Sequence, residues 1–333
     1  MYLNTYDRFL GSWWGSIIGQ SLIYPPASSA AQHIFTQPWL LRRREVAEIL
    51  LHQQLRLEDT DFDFANFNFE EQDAQFCINL EEQVSLAQCN STTLALLPLI
   101  IFGAGDQSFP SETIAEHNLK LAKFLPMSLL NTDILLWCYL LTLVLNSKSK
   151  LAVDQLEINV VRVIQNHQLQ ASPLGNKLTI VTQAIAQGIS LSSLREKLIT
   201  KNNFQATAIA LSWYCFATTP RDFNLSIQRA GLSSPSLAGL VTALTGTLSG
   251  AYNGMARISR TWRIETEQQQ SKDREDYLFQ QLFESWLGIY AVGGNHEAYS
   301  SKLDAIAPPR QMQPRPTLKI ISQSPSYHQK FPS

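Results

Sequence analysis

The sequence predicts an all-α protein, and three observations carry that expectation. Apolar residues recur at intervals of three and four in seven separate stretches, the period at which side chains return to one face of a helix. Prolines at 25, 26, 98, 110, 126, 173, 220 and 235 fall between or near the ends of these stretches and supply breaks. Two further segments carry glycines spaced by four among apolar residues, which is also a helical spacing. With 333 residues, 45% of them apolar, the chain can bury one large core or two ordinary ones.

In chain order, the first glycine segment holds Gly11, Gly15 and Gly19 beside Trp13, Trp14, Ile17 and Ile18. Periodic stretches follow at 46–57, 114–124, 134–145, 156–164, 180–189, 208–216 and 277–290. Pro98 differs from the other prolines because it sits inside an apolar run, where it can start or kink a helix. The second glycine segment holds Gly246, Gly250 and Gly254 beside Ala243, Leu244, Leu248 and Ala251. A glycine inside a helix costs about 1 kcal/mol relative to alanine, so such placement makes sense where bare helix faces let backbones approach. The two helices are therefore expected to cross each other, or a common neighbour, at the centre of the fold.

Two segments stand outside this pattern. Between 58 and 82 there are nine acidic residues and no Lys or Arg, interleaved with Phe62, Phe64, Phe67 and Phe69. This reads as an acidic surface loop or insertion anchored by aromatics, or as a docking surface for a basic partner. Residues 305–333 hold six prolines, four Lys or Arg and no acid, the composition of a flexible basic tail, with 318–321 as a short docking strand. The expected organisation is a single all-α domain over 1–304 followed by that tail.

Composition narrows the function classes. Lys plus Arg number 26 against 28 for Asp plus Glu, so the net charge of -2 creates no long-range field for gathering phosphates, and nucleic acid is not expected as a partner. No membrane span is expected either: the most apolar stretch, 134–145, is 12 residues long, whereas a spanning helix needs about 20. The first 22 residues lack the charged start, apolar middle and small-residue cleavage site of a secretory signal. Cys77, Cys89, Cys138 and Cys215 are irregularly spaced, with no CxxC pair or His at zinc-finger spacing, which suits reduced thiols in a cytoplasmic protein.

Familiar chemistry leaves little trace. The six histidines form no HExxH pair, no GxSxG elbow carries a nucleophilic serine, and there is no GxxxxGK[ST] phosphate loop. Gly103 and Gly105 resemble the start of a dinucleotide fingerprint, but Ser108 takes the third glycine position and a turn is the simpler reading.

The glycine segments resemble the ADP-ribosylglycohydrolase family, all-α hydrolases that include the dinitrogenase-reductase-activating glycohydrolase. Residues 8–22, from Arg8 through Gly11, Gly15 and Gly19 to Leu22, are similar to the family's RxxGxxxGxAxGDALG helix, with Gln20 in place of its Asp. Thr245-Gly246-Thr247-Leu248-Ser249-Gly250-Ala251-Tyr252-Asn253-Gly254, followed by Ile258 and Trp262, resembles TGAxxGAxxGxxxIPxxW, with Ser259 in place of Pro. The resemblance covers residues 8–22, 89–102 and 206–262, and implies an ADP-ribosylglycohydrolase-like orthogonal helical bundle. The Gly-Ala-Tyr-Asn stretch is also similar to a divergent, ligand-poor branch of that family in cyanobacteria.

In the family, acidic residues of a TDDT motif and of a GGDxDT motif hold two magnesium ions that orient ADP-ribose while water attacks the anomeric carbon. The resemblance places the late motif on 235–240, where its aspartates have become Leu237 and Gly239 and its threonine Leu240. It places the early motif on 89–92, where the aspartates have become Asn90 and Ser91; Asp59 or Asp61 is the alternative counterpart. Magnesium is held mainly by carboxylate, phosphate and water oxygens, and none of the substituted positions offers a carboxylate. The expectation is a protein with no catalytic residues at these positions, no metal and no cofactor, which acts on a protein partner as a scaffold or regulator. Two alternatives remain open: a module that binds nucleotide or ADP-ribose weakly without cleavage, using Arg257, Arg260 and Arg263, and a hydrolase with a site rebuilt from Glu265, Asp106 or Glu297.

Overall fold

The computed structural model describes residues 5–22, 40, 43–44, 46–48, 51, 93–103, 132–147, 153–166, 169–199, 203–267 and 272–286. Backbone neighbourhoods divide the chain into Met1–Phe283 and Glu284–Ser333, and of the second unit only residues 284–286 are described. There is no strand among the described residues, so this part of the chain is all-α. The acidic segment at 58–82, the tail at 305–333 and the stretch at 114–124 lie outside the described residues.

The helices are α1 (Thr5–Ser21), α2 (Leu97–Gly103), α3 (Thr132–Asn146), α4 (Val153–Asn166), α5 (Pro173–Ala186), α6 (Leu191–Leu198), α7 (Phe204–Thr218), α8 (Phe223–Gly231), α9 (Ala238–Asn253), α10 (Arg260–Glu267) and α11 (Lys272–Trp286). The periodic stretches at 134–145, 156–164 and 208–216 fall within α3, α4 and α7. Pro98 is the second residue of α2, so it starts a helix.

Helix α5 is longer than the stretch at 180–189 suggests, since its apolar period runs back through Leu178 to Leu174, both buried, as far as a cap. It begins at Pro173, seven residues before the periodic stretch, because Ser172 accepts the Gly175 N–H at 3.0 Å and Pro173 takes the first helical position. It ends at Ala186, and Gly188, with φ 65°, turns the chain away. Helix α11 likewise begins at Lys272, before its apolar period at 277, because its first turn is charged. The short helices α6 and α8 carry the same spacing in brief, Leu191, Leu194 and Leu198 in one and Phe223, Ile227 and Ala230 in the other, and Ser190 and Asp222 cap them by accepting the N–H groups of Ser193 and Leu225.

At the centre, α1 and α9 run antiparallel. A Cβ placed on Gly11 would strike the Gly250 carbonyl, one on Gly15 the Gly246 carbonyl, and one on Gly19 the Thr242 carbonyl. Each step of four along α1 thus matches a step of four back along α9. Gly254 differs from the other five glycines: it follows the helix with φ 77° and its N–H closes the last turn onto Gly250 O at 2.8 Å. The third partner in the contact is Thr242, so the two glycine triplets are offset by one turn. Around this pair, α9 also packs on α3, α7 and α8, α7 packs on α5, and α5 carries α4.

Arg8 fastens the pair at one end. Its Nε donates to Ala251 O at 2.8 Å, and its two terminal nitrogens donate to the carbonyls of Ser147 and Val144, with Ser147 Oγ at 3.1 Å. Those carbonyls end α3, where a cation complements the negative end of the helix. Burial pulls the guanidinium down to about 10 from its ordinary value, so it stays charged at neutral pH.

Candidate functional site

The antiparallel register brings the C-terminal end of α1 to the N-terminal end of α9, since Gly19 abuts Thr242. Gln20 therefore lies at the same end of the helix pair as Leu237, Gly239 and Leu240. Leu237 precedes α9 as its N-cap residue and has no side-chain oxygen to accept a helix N–H, although asparagine, aspartate and serine are preferred there. Leu237 and Leu240 are 2% and 4% exposed, and Gln20 is 8% exposed. The side chains at this end of α9 are thus packed into the interior.

Gly239 offers only a carbonyl, and that oxygen already accepts the Thr242 hydroxyl at 3.0 Å; the same hydroxyl reaches Ala238 O at 2.8 Å. Helix α10 closes the neighbourhood, with Ser21 Oγ and Thr266 Oγ1 3.4 Å apart. Leu237, Gly239 and Leu240 provide no side-chain oxygen, so this donor set does not fit a hard divalent cation. Among the described residues no three His, Cys, Asp or Glu side chains group in a way that would hold a metal ion.

Asn90 and Ser91 lie outside the described residues, as do Asp59, Asp61, Asp106, Glu297 and the side chain of Glu265. The chain is described from Thr93, which is fully buried. Its carbonyl accepts the Trp137 Nε1–H at 3.2 Å and its hydroxyl accepts from Gln205 Nε2 at 2.5 Å. The segment that follows the early motif is therefore tied to α3 and α7.

The structure also assembles a polar centre that no motif announces. Glu275 of α11 is fully buried and both its oxygens are engaged: Oε2 by Arg43 at 2.6 Å and by Trp13 Nε1 at 3.1 Å, Oε1 by Arg44 Nε at 2.5 Å. The Arg43 guanidinium lies 4.0 Å from the centre of the Trp13 ring and donates to Trp13 O and Ser16 Oγ. Burial, partly offset by Glu275, brings Arg43 down to about 10. Trp14 Nε1 donates to Asp276 at 2.9 Å. A fully buried carboxylate paired with two guanidiniums is a weak base shielded from solvent, so the arrangement holds α11 to α1 and does not suit general-base work.

Other titratable groups are similarly occupied. Asp133 accepts the Leu174 N–H at 3.0 Å at the start of α5, and burial raises its carboxyl above the usual range. Burial pushes the thiols of Cys138 and Cys215 up to about 12, so neither is a thiolate at neutral pH. No helix among the described residues is long and apolar enough to cross a membrane.

Comparison of the sequence with protein-family models and with curated proteins gives no match.

Proposed function

We propose that the chain is a catalytically degenerate protein of the ADP-ribosylglycohydrolase fold, serving as a scaffold or regulatory protein-interaction module. The single observation that supports this reading is the state of residues 237–240. Where the resemblance places metal-binding aspartates and a threonine, Leu237 and Leu240 are buried and Gly239 has only its helix carbonyl, which shares the Thr242 hydroxyl proton with Ala238 O. Apolar side chains stabilise a dry interior at that end of α9, and a pair of divalent cations there would meet no balancing charge. A hydrolase that depends on two metals to orient its substrate loses its means of doing so at this position.

The reading is tested by isothermal titration calorimetry with ADP-ribose, with and without magnesium, alongside an assay for release of ADP-ribose from ADP-ribosylated arginine. Absent or millimolar binding, indifferent to magnesium, and no release are the expected results. Magnesium-dependent micromolar binding or measurable release would overturn it.

A further inference from the structure

We infer that the surface made by the turn before α8 and by residues 255–264 docks an acidic segment of a protein partner that carries an apolar side chain; this rests on the interaction-module reading and names its partner class. The first support is charge segregation. From 203 to 263 the chain carries five arginines, no lysine and a single acid, Asp222, although the protein as a whole is slightly negative.

The second support is placement. Asn253 Nδ2 donates to Pro220 O at 2.7 Å, and the rings of Phe223 and Trp262 lie 6.2 Å apart, so Arg221 is carried beside the segment bearing Arg257, Arg260 and Arg263. Arg221, Arg257 and Arg260 are exposed. None of these four arginines takes part in an ion pair with a described residue. The fifth, Arg229, is engaged elsewhere, its guanidinium 5.5 Å from the Tyr214 ring centre. The two nearby acids each spend an oxygen on backbone: Asp222 caps α8 through Leu225 N, and Asp7 accepts the Ala256 N–H at 3.1 Å. Glu265 and Glu267 are on α10 with Arg260 and Arg263, Glu267 one turn beyond Arg263 and two turns beyond Arg260, so the basic surface is bounded by them on that side.

The third support is chemical. Guanidinium groups present planar forks that match carboxylates, and Ile264, 41% exposed one turn beyond Arg260, adds an apolar contact that a bare phosphate would not use. The short span of the arginines and the net charge of -2 also disfavour a polyphosphate backbone, whose binding scales with the number of neutralised phosphates.

The test is fluorescence anisotropy of the full chain against a fluorescein-labelled peptide of three Glu-Phe-Asp-Leu repeats. Saturable binding that weakens as salt rises from about 50 to about 200 mM is expected. The double variant Arg257→Glu/Arg260→Glu should weaken it about tenfold or more, and Ile264→Asp by a smaller factor. The control is Arg162→Glu on α4, an exposed arginine away from this surface, which should leave binding unchanged. Both altered arginines are exposed, and unchanged melting of the double variant separates lost binding from lost folding. No binding of the peptide, equal loss in the Arg162 variant, or tighter binding of tripolyphosphate or single-stranded DNA than of the peptide would overturn the inference. Magnesium at the end of α9 is read by the separate calorimetric titration, so the degenerate cleft can stand while this surface fails; tighter binding of tripolyphosphate would favour instead the nucleotide-binding alternative, which calls on the same Arg257, Arg260 and Arg263.

Discussion

On one side of α1, backbone meets backbone across Gly11, Gly15 and Gly19; on another, Trp13 and Trp14 reach Glu275 and Asp276 through indole N–H groups, with Arg43 stacked on Trp13. The first interface is made by removing side chains and the second by some of the largest ones in the protein. Glycine contact tolerates no added atom, because the neighbour is main chain that cannot rotate away. The ionic contact tolerates no removed atom, because each buried charge depends on its partners.

Substitutions can break this comparison in a graded way, read by chemical or thermal denaturation. The largest effect is expected for Glu275→Ala, which leaves two buried guanidiniums facing an empty space and should cost about 3–5 kcal/mol. Gly15→Ala follows, since its methyl group would strike the Gly246 carbonyl; a loss of about 2–3 kcal/mol is expected from forcing the helices apart. Leu237→Ala should cost about 2 kcal/mol or somewhat more through the cavity it opens, without creating magnesium affinity. The smallest effect is expected for Trp14→Phe, which removes one partly buried hydrogen bond to Asp276 and part of a buried ring and should cost about 1–2 kcal/mol. A double-mutant cycle between Gly15 and Trp14 sharpens the contrast: near-additive losses mean the two faces of α1 act independently, and strong coupling means they do not.

The same contrast explains what could be read from the chain before its structure. The spacing of Gly11, Gly15 and Gly19 and of Gly246 and Gly250 is a local pattern with a local cost, so its purpose is visible without knowing the partner. Helix existence over 134–145, 156–164 and 208–216 was legible for the same reason, whereas α5 starts earlier than the stretch at 180–189, where Ser172 and Pro173 cap a period that already includes Leu174 and Leu178. Nothing near Glu275 in sequence announces Arg43, 232 positions away, as its counter-ion. Arg8 was visible as part of a motif, but its three carbonyl acceptors were not, since main-chain oxygens carry no signature in a sequence. At the end of α9, residue types alone showed that Leu237 and Leu240 cannot ligate a cation. Only the structure showed that both are buried and that the Thr242 hydroxyl turns back onto the carbonyls of Ala238 and Gly239.

The bond from Arg8 to Ala251 spans 243 positions, and that reach has a kinetic consequence during synthesis. At ribosomal speeds of about 5–20 residues per second, α1 must wait roughly ten to fifty seconds for α9 to emerge. Throughout that interval the bare glycine flank of α1 lacks its cover, and Trp13 and Trp14 wait longer still, for Glu275 and Asp276 of α11. Moving α1 to the far terminus by circular permutation would shorten that delay.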